Sequence, residues 1–157
     1  LYKNARKIKS LLFLKYNLDI GVKKVKTNHV YLDRDKKEFL SYNDREISFI
    51  QLNDEKKSKY LKFEKWYLSK LKELTTLVKE NASIPIFVTQ TTGYGHSFES
   101  FIVARTIIKH CDENNLICLN LAKDLELKYE DFYDENHLNV SGSKKVAEYI
   151  YSNLSVF

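Results

Sequence analysis

The chain has 157 residues, room for one domain, and 43% of them are hydrophobic, which excludes a disordered chain. Four glycines and one proline exclude collagen-like and linker-rich architectures, and no apolar run is long enough to span a bilayer. The net charge of +5 comes mostly from lysines interspersed with Asp and Glu, the pattern of a solvated exterior; arginine is too sparse for a base-reading surface.

In chain order, Leu1 to about Tyr16 carries Ala5, Ile8, Leu11, Leu12 and Tyr16 near helical spacing. The chain has no methionine and opens inside this helical pattern, so it reads as a fragment whose front end is absent. Residues 22–52 predict two short extended segments, the later one spanning Ile47–Leu52, around a polar loop at Asp33–Asp44. This stretch reads as an insertion that covers or lines a site. Asn53 and Asp54 can cap a long helix to about Asn81. Its apolar face is Tyr60, Phe63, Tyr67, Leu71, Leu74 and Val78, widened by Leu61, Trp66 and Leu68. Ile84–Gln90 is apolar without alternation, the pattern of a strand buried on both faces. After the loop Thr91–His96, Ser97 can cap a helix to about Asn114, with Phe98, Phe101, Ile102, Ile108 and Cys111 inward. Leu116–Leu121 predicts a second buried strand, and Ser141 a capped final helix through Leu154. Cys111 and Cys118 read as buried small hydrophobes, not as a disulfide framework, metal ligands or nucleophiles.

Helices alternating with non-alternating apolar strands predict an α/β domain with a parallel sheet. Two strands are too few for such a sheet, so further strands are expected upstream. In parallel α/β sheets, ligands bind beyond the carboxyl ends of the strands. The loops after Gln90 and after Leu121 both leave from that edge, and the second contains Asp134 and His137. At this spacing the Asp can accept from one imidazole nitrogen, leaving the other as a general base. The competing reading of D-x-x-H is a surface turn with a helix-capping carboxylate. Asp131, Asp134, Glu135 and His137 are crowded, but no second His or Cys stands at ligand spacing, so neither a metal nor another cofactor is expected. Thr89 and Gln90, at the strand end, either contact a substrate carbonyl or hydroxyl or bond to local loop backbone. His96, in a Gly/Tyr loop, reads as an exposed loop residue, with a cleft position as the alternative, and His29 and His110 as ordinary polar positions.

The run Phe132-Tyr133-Asp134, His137-Leu138-Asn139, Gly142 and Val146-Ala147 resembles the C-terminal signature of the SGNH/GDSL hydrolase family. The resemblance covers roughly Asp54–Leu154 and is specific only in its last part. It implies a three-layer α/β/α fold of flavodoxin-like type with a parallel sheet, here lacking its N-terminal part. It also implies a serine esterase acting on a small-molecule or carbohydrate acyl ester. His137 would be the general base and Asp134 its orienter, with an acyl-enzyme formed on a serine. The family's Gly-Asp-Ser and Gly-x-Asn-Asp motifs are absent from this chain; Ser97 reads as a helix cap and Tyr42-Asn43-Asp44 as a turn. Two alternatives accompany this expectation: an O-acyltransferase of the same type, and a non-catalytic module that binds an anionic partner through its lysines. No membrane span and no specific nucleic-acid partner are expected.

Overall fold

The computed structural model describes residues 38–154. The helix expected over Leu1–Tyr16, the earlier extended segment of residues 22–52 and His29 lie outside the described residues. The rest follows the order α1 (Tyr42–Ile50), α2 (Asp54–Glu80), β1 (Ile86–Val88), α3 (Phe98–Asn114), β2 (Ile117–Leu119), α4 (Leu121–Asp124), a 3₁₀ turn (Tyr129–Asp131) and α5 (Val140–Leu154). It is a mixed α/β arrangement in which β1 and β2 pair in parallel, with Ile86 opposite Ile117, Phe87 opposite Cys118 and Val88 opposite Leu119. The intervening helix α3 is the crossover that parallel strands require.

Helix α1 corrects the extended segment expected over Ile47–Leu52. Its start is fixed by a reciprocal cap. The Asp44 amide donates to the Ser41 hydroxyl at 3.2 Å, and the Ser41 amide donates to the Asp44 carboxylate at 3.0 Å. Tyr42 and Phe49, two turns apart, then bury together against Phe101 and Ile102 of α3, while Ile47 and Ile50 stay exposed.

Helix α2 runs as expected, capped by the Asn53 side chain on the Lys56 amide at 3.0 Å. Its inward face is narrower and more polar than the apolar pattern suggested. Leu71, Thr75 and Glu64 are buried, whereas Trp66 and Leu74 face outward. Glu64 is tolerated because Arg105 of α3 reaches it at 2.6 Å. The Arg105 guanidinium also lies 4.7 Å from the Phe49 ring centroid, so one side chain ties α1, α2 and α3. His110, expected to be an ordinary polar position, is a core residue. Its Nε2 meets the Thr75 hydroxyl at 2.8 Å and its ring stands edge-on to Phe87.

Three further expectations change. The strand at Ile84–Gln90 is not buried on both faces: Phe87 is half-buried, but Ile86 and Val88 are exposed. Cys111 at the end of α3 and Cys118 in β2 are joined in a disulfide, with Cα atoms 6.1 Å apart. The left-handed turn at Asn115 brings the two together. Finally, α5 is capped by Asn139, whose side-chain oxygen accepts from the Gly142 amide at 3.1 Å, and not by Ser141. Ser141 instead donates to the Asp131 carboxylate at 3.2 Å.

Candidate functional site

Because β1 and β2 are parallel, the loops that follow them emerge at one edge. The loop after β1 and the distal loop carrying Asp134 and His137 are joined there, through a 2.8 Å bond from the Gly93 amide to the Glu135 carbonyl. An antiparallel bridge between Phe132 and Leu138 closes the Asp134 loop at its base, and the Tyr133 amide donates to the His137 carbonyl at 2.7 Å. Phe132 is buried and anchors the loop beneath. Gly142 lets α5 approach closely, since a Cβ there would sit 2.2 Å from the Asp131 carbonyl oxygen.

Within this frame the Asp134 carboxylate is strongly constrained. Its Oδ1 accepts from the backbone amides of Asn136 and His137, both at 2.9 Å. The His137 Nδ1 lies 2.8 Å from Oδ1 and 2.9 Å from Oδ2. The pairing comes from an Asx-type turn and not from a helical face. The Asn136 amide first, and then the His137 ring, hold the Asp134 carboxyl below the usual carboxylate range. An ionised Asp134 can only accept, so Nδ1 carries the hydrogen and a neutral ring presents its lone pair at Nε2. Among the described residues nothing hydrogen-bonds Nε2, and the His137 side chain is 75% exposed.

The neighbouring carboxylate has another task. Asp131 is buried; burial alone raises its pKa, but the Lys145 ammonium at 2.7 Å, the Lys128 amide at 2.9 Å and the Ser141 hydroxyl outweigh that and leave it lowered. It fastens α5 to the 3₁₀ turn and so holds the base of the loop.

Thr89 and Gln90 part company at the end of β1. Thr89 is buried; its hydroxyl donates to Asn120 at 3.2 Å and accepts from the Ala122 amide at 2.9 Å, locking β1 to the start of α4. Gln90 is exposed and, with Asn136, borders a groove of about 220 Å³ whose floor includes Val88 and Leu138. His96 corrects the expectation of an exposed loop histidine. It is 1% exposed, with Nε2 3.0 Å from the Thr91 hydroxyl and its ring edge-on to Tyr42. Burial pushes it down to about 4, against an opposing backbone interaction with Ala122 and with Arg45 adding to the fall. It borders a separate cleft of about 420 Å³ between the start of α1 and α4. Its burial depends on the Leu40 segment, which bonds to the His96 amide at 2.7 Å; only the Gly-Tyr-Gly sequence before it hints at so tight a loop.

Compared with models of known protein families, with curated proteins and with solved structures, the chain matches none. Among the described residues no helix is long and apolar enough to cross a membrane.

Proposed function

We propose that Asp134 and His137 are the acid–base half of a Ser-His-Asp triad in an ester hydrolase of SGNH type. The observation that carries this reading is the doubly contacted Nδ1 of His137 on Asp134, beside an unengaged Nε2 at the carboxyl edge of a parallel strand pair. In this reading the nucleophile is a serine outside the described residues. Its hydroxyl gives its proton to Nε2 as Oγ attacks the acyl carbonyl. The tetrahedral intermediate then expels the alkoxide, which takes that proton from the imidazolium, and Asp134 steadies the ring throughout. Water, activated by the same nitrogen, releases the acyl group and restores the serine. A sugar hydroxyl taking the place of water would make the same site an O-acyltransferase.

The proposed fold is the three-layer α/β/α type with a longer parallel sheet. The exposed Ile86 and Val88 on a two-stranded pair support it, because parallel sheets are normally covered on both faces. Gln90 and Asn136, at the polar border of the groove beside the dyad, would contact the acyl ester. Thr89, already bonded on both sides, would position that border and leave substrate contact to Gln90.

The test is hydrolysis of p-nitrophenyl acetate by the full-length protein. Asp134→Asn should lower kcat by several orders of magnitude, about 10⁴-fold by analogy with triads in which the orienting carboxylate is lost. Unchanged kcat in that variant would remove the dyad from the chemistry.

A further inference from the structure

We propose that Asp131 is the positioning residue of the Asp134–His137 pair, keeping the His137 ring in its Nδ1–H form by gripping the base of the loop. The inference rests on the reading of that pair as catalytic, and it adds a residue that does not touch the substrate. The pair is held weakly by its own contacts. The His137 side chain is 75% and the Asp134 side chain 37% exposed, and the bonds from the Asn136 amide, the His137 amide and the His137 ring to Asp134 all lie open to solvent. Contacts of that kind contribute little by themselves, because water competes for each partner. With the turn open, a neutral ring can carry its hydrogen on either nitrogen.

One buried residue closes the turn from below. The Asp131 side chain is only 3% exposed. Its carbonyl oxygen accepts from the Asn139 amide at 2.9 Å, so the chain leaving the loop is tied to the residue that enters it. Its carboxylate accepts from the Lys128 amide at 2.9 Å on the entering side. On the leaving side it accepts from the Ser141 hydroxyl at 3.2 Å and the Lys145 ammonium at 2.7 Å. The backbones are equally close there: a Cβ at Gly142 would sit 3.0 Å from the Asp131 Cβ. Between the two gripped ends stand the Phe132–Leu138 bridge and the Asp134–His137 turn. An apolar side chain at residue 131 could also pack α5 against the 3₁₀ turn. A carboxylate adds direction, since its two oxygens fix where three donors stand. The Nδ1–H form is the one whose Nε2 lone pair can take a serine's proton. Loosening the grip therefore lowers the fraction of protein ready to react and leaves ester binding alone.

The test uses the full-length protein and reads the His137 ring by nitrogen NMR above the ordinary histidine range, where the imidazole is neutral. The parent should show a single Nδ1–H tautomer. Asp131→Asn keeps the shape and removes the charge. It should give a mixture of tautomers with unchanged circular dichroism, and lower kcat for p-nitrophenyl acetate on the order of 10²-fold with KM within about twofold. Lys145→Gln should move both readouts the same way by less, and Lys145→Arg should leave them at the parent's values. Should Asp131→Asn fail to fold, Lys145→Gln carries both readouts. A single Nδ1–H tautomer retained in the folded variant, or a loss carried by KM alone, would overturn the proposal; a merely structural tie would lower the urea midpoint and leave the tautomer as it was. Mixed tautomers in the variant of a parent that hydrolyses no ester would remove the hydrolase reading and leave the positioning of His137 standing.

Discussion

Asp134 and His137 meet because two backbone amides and an imidazole converge on one carboxylate within a single turn. Such a contact is local, which is why a spacing of three residues sufficed to anticipate it. His96 is the opposite case. Nothing near it in sequence indicates that the Leu40 segment, Tyr42 and Ala122 close over its ring, so its burial became visible only in three dimensions. That burial has a measurable consequence. With its folded pKa lowered to about 4, His96 stays neutral in the native state while the unfolded chain takes up a proton below the ordinary histidine range. The unfolded state therefore binds more protons between about pH 6.5 and 4, and stability falls as pH drops through that window, by at most roughly 3 kcal/mol. His110, also lowered by burial and by Lys72, acts in the same direction. Asp131 acts at more acid pH: its lowered pKa contributes stability above the ordinary carboxylate range that is lost as pH falls through its folded value. Urea midpoints measured across this range should slope for the wild type and slope less between pH 6.5 and 4 in His96→Gln, with His110 carrying the remainder. An equal slope in the variant would place the proton uptake elsewhere.

At the scale of elements, α2 and α3 were legible from caps and periodicity, since Asn53, Ser97 and the apolar spacing act within a few residues. Helix α1 was not, although Ser41 and Asp44 stand at capping-box spacing. Its apolar residues are few, and only Tyr42 and Phe49 point inward. Ser41→Ala should therefore cost about 1 kcal/mol, read as a lowered urea midpoint. A midpoint equal to wild type would mean that α1 is held by Phe49 packing alone. The final helix shows why neighbouring cap formers mislead. Asn139 and Ser141 both qualify, and the choice falls to Asn139 because Asp131 takes the Ser141 hydroxyl. The disulfide was missed for a related reason, since two cysteines in one sequence do not reveal that the turn after α3 folds back on β2. It closes a short loop, the cysteines being seven residues apart, so its reduction should lower stability by roughly 2–3 kcal/mol. Identical midpoints with and without reductant would contradict that bond's contribution.

For the whole molecule, alternation of helices and strands correctly indicated a parallel pair with its loops at one edge, which is what places His137 beside the loop after β1. Strand burial was over-read. An apolar run reports that a strand prefers cover, and the cover for Ile86 and Val88 has to come from other elements. The same incompleteness appears at the dyad, where an oriented histidine faces no hydrogen-bonding partner at Nε2 among the described residues. An added strand bringing a serine would answer both. The most direct test is kcat/KM for p-nitrophenyl acetate in the full-length protein and in its His137→Ala variant. The account predicts measurable hydrolysis in the first and a loss of about 10³-fold or more in the second. Hydrolysis that survives His137→Ala, or none in the parent protein, would contradict it.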